Sequence, residues 1–261
     1  MFERVELKQL TPRVFLMDDN HEATGYLICG DERALVVDTM NGYADIKAIA
    51  ATLTDKPVTV INTHGHPDHI LGNVWFSRAL IAKEDLPIVE HLVREPRFQE
   101  ACRQYGFSMP PFDTVKEGDV IDLGGAHCEV IALPGHTPGG ICILYREERI
   151  LFTGDSINRH LWMQLDESLS LAETLKNLER IVWVKEKADH ILHGHAQGFE
   201  SITLYDEMTN GIRELVNQHG TEATDKDEEY SWFGGKALQH RFAENSVIVY
   251  TKDKLPCADG K

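Results

Sequence analysis

At 261 residues, with 42% hydrophobic and 26% charged side chains, the chain has an ordinary globular composition able to bury a sizeable core. Lys and Arg number 26 against 42 Asp and Glu, a formal net charge of -16 that disfavours nucleic acid and anionic membrane as partners; no local basic patch offsets it. Five cysteines without a CxxC pair suit a reducing compartment, no stretch is long and apolar enough to span a bilayer, and the opening MFERVELKQLTPRVF lacks the parts of a secretory signal, so a cytoplasmic location is expected.

Along the first third, Val5 to Leu7, Val14 to Met17, Thr24 to Cys29 and Ala34 to Asp38 are short apolar or alternating runs divided by turn formers, and they predict strands. Tyr43 to Leu53 is helix-like. Val58 to Ile61 then has the β-branched content of a buried strand. Glu84 to Tyr105 predicts a helix and Ser108 to Phe112 a loop. Further strands are expected at Val120 to Leu123, Cys128 to Leu133, Ile141 to Tyr145 and Ile150 to Thr153. Ser170 followed by Glu173 is a capping box, and Leu171, Leu175, Leu178 and Val182 form a stripe facing a core. His190 to Leu192 predicts a strand, Thr203 to Asn217 a helix, Thr221 to Tyr230 a solvated acidic loop, and Arg241 to Thr251 strand again. Strands and helix recur in both halves without a linker. One domain over residues 1–261 is expected, α+β, with two sheets sharing a core and helices outside.

The chemistry-bearing residues fall at strand ends. His64, His66, Asp68 and His69 read H-x-H-x-D-H directly after the buried run Val58 to Ile61. Imidazole and carboxylate together suit zinc, manganese or iron better than calcium or magnesium. His136 follows a strand in a Gly/Pro-rich turn, Asp155 follows another, and His195 a third, so one sheet rim can gather all of them. His190 and His193 lie close to His195, and spacing alone does not separate the three.

This set, His64, His66, Asp68, His69, His136, Asp155 and His195, resembles the ligand set of the metallo-β-lactamase superfamily in order and rough spacing. The wording Thr63-His64-Gly65-His66-Pro67-Asp68-His69 and Pro134-Gly135-His136-Thr137 is most similar to its glyoxalase II and lactonase side. The resemblance implies an αβ/βα sandwich, a four-layer fold of two mixed sheets with helices outside, and a site for two divalent ions, zinc first and manganese or iron next. It implies one ion at His64, His66 and His136, the other at Asp68, His69 and His195, and Asp155 between them. It implies a metallo-hydrolase acting on an ester, thioester or lactone of a small molecule, with Asp68 also the catalytic proton handler. Two ions about 3.5–4 Å apart activate water and clamp an oxygen without a serine or cysteine nucleophile.

Substrate contacts are expected from Asn158, Arg159, His160, Trp162 and His193, which lie close to ligands in sequence. Trp162 and Met163, with Phe107, Met109 and Phe112, are candidates for an apolar cap, and Trp232 and Phe233 for reaching the cleft. Lactonases of the superfamily carry a tyrosine three residues after the bridging aspartate, where this chain has Asn158. The basic glutathione-binding tail of glyoxalase II has no counterpart in Lys252 to Lys261. Persulfide dioxygenases, with one iron, resemble the same ligands and are the alternative. The acidic balance argues against the superfamily's nucleases. Tyr230 to Phe233 is a candidate homodimer contact.

Overall fold

The computed structural model describes residues 4–217, 227–232 and 235–256. From the amino end, β1 (Val5–Gln9), β2 (Val14–Asp19), β3 (Ala23–Cys29) and β4 (Ala34–Val37) form an antiparallel meander. Helix α1 (Ile46–Leu53), capped by the Asp45 side chain, crosses to β5 (Val58–Ile61), parallel to β4. The single turn α2 (Pro67–Ile70) follows, then β6 (Ala79–Ala82), α3 (Leu86–Arg94), α4 (Pro96–Tyr105) and β7 (Phe112–Val115). These seven strands make one sheet in chain order.

The second sheet begins with β8 (Val120–Asp122), β9 (His127–Ala132), β10 (Ile141–Tyr145) and β11 (Ile150–Gly154). Strand β12 (His160–Trp162) leaves it, α5 (Leu171–Arg180) returns the chain, and β13 (His190–His193) and β14 (Glu200–Ser201) complete six strands. After α6 (Thr203–Asn217) come β15 (Glu228–Trp232), β16 (Gly235–Ala243) and β17 (Ser246–Tyr250), which join β12 in a third sheet ordered β12-β17-β16-β15.

The main core lies between the first two sheets. Val14, Leu16, Ile28, Leu35 and Ile61 meet Val130, Ile143, Ile150, Phe152 and Leu192 there. The outer face of the first sheet packs on α1 through Met17, Leu27, Val36, Ile46 and Ile49. The outer face of the second packs on α5 and α6 through Leu144, Leu151, Ile191, Leu175, Leu178, Leu204 and Met208. Strands β10 and β11 are therefore covered on both faces, which is why they read as continuous apolar runs. The result is the expected helix–sheet–sheet–helix layering, with the third sheet added beside α6.

Several elements differ from expectation. The single helix over Glu84 to Tyr105 is two, because Pro96 lacks an amide donor and holds Glu95 extended at φ -61°, ψ 128°. Phe112, placed in a loop, opens β7. The capping box forms as expected, but the stripe stops at Leu178: α5 ends at Arg180 and the tighter turn that follows leaves Val182 52% exposed. Glu228 to Tyr230 belong to β15 rather than to a loop; residues 221–226 of the acidic stretch, Phe233, Gly234 and Cys257 lie outside the described residues. The stretch Arg241 to Thr251 is two strands turning at Asn245, whose φ is 56°. Cys128 and Cys142 are buried and Cys29 half-buried.

Candidate metal centre

All seven ligand candidates sit just beyond, or one turn beyond, the carboxyl ends of β5, β9, β11 and β13. His64 and His66 follow β5. Pro67 opens α2, where its fixed φ suits the first helical position, and this turn carries Asp68 and His69. His136 follows β9, Asp155 follows β11 and His195 follows β13.

They gather as two groups. Ligand atoms of His64, His66 and His136 lie within 4.8 Å of one another, and so do those of Asp68, His69, Asp155 and His195. In the first group His66 Nδ1 is 2.9 Å from His136 Nε2. In the second, His69 Nε2 is 3.4 Å from Asp68 Oδ2, and His195 Nε2 is 3.2 Å from Asp155 Oδ2. Asp155 Oδ2 is also 3.8 Å from His136 Nε2, so this carboxylate stands between the groups. Gly194 lets the last strand end approach: a Cβ there would fall 2.4 Å from His69 Cε1 and 2.6 Å from Asp155 Oδ1.

Each ring is oriented by a hydrogen bond to the nitrogen facing away from its group, and this network assigns the tautomers. His69 Nδ1–H donates to Asp38 Oδ2 at 2.9 Å, His136 Nδ1–H to the Trp162 carbonyl at 2.6 Å, and His195 Nδ1–H to the Glu22 carbonyl at 2.9 Å. His66 Nε2–H donates to Glu167 Oε1 at 2.8 Å. Thr63 Oγ1 donates to Asp38 Oδ2 at 2.7 Å, so it accepts from His64 Nδ1–H at 3.1 Å. The nitrogens left over are Nε2 of His64, His69, His136 and His195 and Nδ1 of His66. Of these His64 Nε2 and His69 Nε2, with Asp155 Oδ1, are buried without any hydrogen-bond partner. Orphaned buried polar atoms are costly, and a shared set of them is what a cation would satisfy. The donor set fits divalent zinc, manganese or iron.

The two groups differ in charge. Burial, then the neighbouring imidazoles, push His64 well below its usual value, and burial takes His136 down to about 4, so these two rings are neutral at neutral pH. Burial also opposes protonation of His69 and His195, but Asp68, Asp155 and Asp38 outweigh it at His69, and Asp155 lifts His195 to about 9. Burial would raise Asp155; His195 and His69 hold it well below the usual carboxylate range.

Of the substrate candidates, the structure brings some to the site and spends others elsewhere. Trp162 touches His136 through its carbonyl. His160, two residues earlier on the same face of β12, is held down first by burial and then by the His195 charge, which places it near the second group. Asn158 is buried, with its side-chain oxygen unpartnered. His193 is buried and its Nδ1 accepts the His195 amide at 3.2 Å, shaping the turn that presents His195. Arg159 is not brought into the cluster: its guanidinium is taken up by Glu200, Glu207 and Ser246. Phe107 packs on Trp75, and Met109 and Phe112 pack beside α3, so this trio lines the α3–α4 side, and Met163 is fully buried in the core with Leu171 and Leu204. Trp162 and Trp232 are 5.7 Å apart between ring centres, and His160 and Tyr230 5.8 Å. A ledge of four rings therefore runs from the site along the third sheet.

Sequence reasoning missed the supporting carboxylates Asp38, Asp85 and Glu167. Asp38 and Asp85 each lie at or just past the end of a strand, the same signal that marked the ligands. Asp38 sits at φ 60°, a left-handed conformation costing about 1–2 kcal/mol for a residue with a Cβ. The strain aims one carboxylate at the Thr63 amide, the Thr63 hydroxyl and His69 together.

A sandwich of two mixed sheets with two groups of potential metal ligands at its strand ends defines an α+β protein with a candidate metal centre. The chain belongs to the metallo-beta-lactamase superfamily, whose family model matches residues 21–204. It is 26% identical over 223 residues to the acyl-coenzyme A thioesterase MBLAC2 of Gallus gallus, covering 75% of this chain and 80% of that protein. It is 31% identical over 147 residues to the hydroxyacylglutathione hydrolase of Hyphomonas neptunium, covering 54% of this chain and 49% of that one. A metallo-beta-lactamase family protein from Thermus thermophilus superposes with a TM-score of 0.62 at 19% identity, covering 84% of this chain and 85% of the other. The relatives are hydrolases, and the fold implies divalent metal ions.

Proposed function

We propose that the chain is a binuclear metallo-hydrolase, zinc-loaded, that cleaves the thioester, ester or lactone bond of a small molecule bearing an apolar arm. One observation carries this reading: Asp155 Oδ2 lies 3.8 Å from one ligand group and 3.2 Å from the other, the place a carboxylate shared by two ions would take. His64, His66 and His136 would hold the first ion, Asp68, His69 and His195 the second, with Asp155 common to both. When bound, the ions acidify water into a nucleophile at neutral pH and polarise the carbonyl under attack.

The chain's own residues supply the rest. Asp38, Glu167 and the Trp162 and Glu22 carbonyls fix the rings before substrate arrives, which removes a reorganisation cost from the reaction. Asp68 is a third exposed while Asp155 is nearly enclosed, so Asp68 is the carboxylate able to take a proton from the attacking water and pass it to a departing thiolate or alkoxide. The ledge of His160, Trp162, Tyr230 and Trp232 offers an apolar wall beside the site, which favours a substrate with an acyl chain or ring. Thioesters come first among the candidates because the thioesterase relative names that bond and spans most of this chain.

The test begins with metal content of protein purified without chelator. About two zinc or manganese ions per chain, with activity on an acyl-thioester panel, is the expected result. About one iron per chain, with oxygen consumed in the presence of a persulfide and no hydrolysis, would overturn it.

A further inference from the structure

Asp85 contributes no ligand atom to either group, yet its side chain is fully enclosed, at 0% exposure, between the two loops that carry the first group's histidines. It lies where the chain leaves β6 for α3, one strand over from the β5 end that delivers His64. Its Oδ2 accepts the Gly65 amide at 2.7 Å and the Thr137 hydroxyl at 2.8 Å, and its Oδ1 accepts the Gly139 amide at 2.6 Å. Gly65 stands between His64 and His66, and Thr137 and Gly139 follow His136. One carboxylate thus ties together two loops whose ligands are about 70 residues apart in the chain.

Two further features show that the side chain is committed to these loops. Asp85 occupies the position before the first residue of α3, where aspartate is among the best helix caps, but makes no bond to the α3 amides. The loop, in turn, is shaped to receive it: a Cβ on Gly139 would fall 2.7 Å from both Asp85 N and Asp85 Oδ1, so only glycine admits this approach. The second group has no bond to Asp85. Its rings depend instead on Asp38 and the Glu22 carbonyl.

We propose that Asp85 is a positioning residue that assembles the three-histidine half of the site, holding the His64–His66 loop and the His136 loop in register so that the first ion finds its ligands preformed. The proposal rests on the metal-binding part of the function proposed above and on no assumption about substrate.

The experiment is zinc binding to chelator-stripped protein, measured by competition with a chromophoric chelator, for wild type, Asp85→Asn, Asp85→Ala and Thr137→Val. Asn matches Asp in shape but turns an NH2 group toward donors, so a space-filling role would tolerate it and an anchoring role would not. The expected result for Asp85→Asn is affinity lowered by about 10–100-fold at one site and unchanged at the other. Thr137→Val, which removes one of three donors, should lose less at that same site. Amide hydrogen exchange should speed up at Gly65 and Gly139 but not around His69 and His195. Wild-type affinity at both sites in Asp85→Asn, or equal weakening of both, overturns the proposal. If wild type holds a single ion, Asp85→Asn must weaken it, and retention at full affinity overturns the proposal equally. A wild-type chain that takes up no zinc sinks the proposed function instead, and the exchange pattern at Gly65 and Gly139 then decides on Asp85 alone.

Discussion

The two ligand groups are built from the same residue type and behave in opposite ways. In the three-histidine group, burial without a carboxylate of its own keeps His64 and His136 neutral. In the mixed group, Asp68 and Asp155 hold the buried His69 and the more exposed His195 protonated. A cation held at His64 and His136 would meet neutral donors and keep its full charge, which favours acidifying water. One entering the second group displaces protons and has its charge offset by carboxylates, which suits it to anchor and orient. The pair is asymmetric before any ion arrives.

The strongest way to break that asymmetry is at the residue both halves share. Asp155→Ala removes the carboxylate between the groups, leaving His195 without its main partner and His69 without one of its three carboxylates. A loss on the order of 10³-fold or more in kcat/KM is expected, about 4 kcal/mol of transition-state stabilisation, with circular dichroism unchanged. Activity within tenfold of wild type would mean that Asp155 is not shared in the working enzyme.

Asp38→Asn comes next. Asp38 accepts from His69 directly and from His64 through Thr63, so it supports both halves from behind. Zinc affinity is expected to fall by about 10–100-fold at both sites together. An effect confined to one site would show that the Thr63 relay carries nothing. Glu167→Gln should be smaller and one-sided. It keeps an acceptor for His66 but loses the charge, and about tenfold weaker zinc binding at the three-histidine site alone is expected.

The ligand candidates that the fold gathers into two groups were legible in the sequence because each follows an apolar run, and the core strands because they are covered on both faces. The third sheet was not legible: β12 has three residues, its partner β17 lies more than 80 residues later, and β15 mixes in exposed, charged positions. The break at Pro96 was legible in principle and was overridden by the helical composition around it. Asp85 and Glu167 were hidden for a different reason. A carboxylate that supports a ligand, rather than being one, has no spacing rule, since its partner lies wherever the fold brings it: 101 residues away for Glu167 and His66. Arg159 misled by proximity, since a residue four positions after Asp155 turns to Glu200 and Ser246 instead.

The subtlest test of the comparison is the stability of metal-free protein against pH, because the two halves should fail at opposite ends. His136, at about 4 when folded against an ordinary 6.5, and His64, lower than usual, bind protons more readily in the unfolded chain. Their contribution is complete above pH 6.5 and is lost as pH falls toward about 4. His195, at about 9, and His69, well above its usual value, hold protons more tightly when folded. Their contribution is complete below pH 6.5 and is lost as pH rises through about 9. The melting temperature of the stripped protein should therefore peak near neutrality and fall on both sides. His136→Gln should flatten the acid limb only, and His195→Gln the alkaline limb only. If both substitutions flatten the same limb, the halves are one electrostatic unit and the asymmetry between them does not exist.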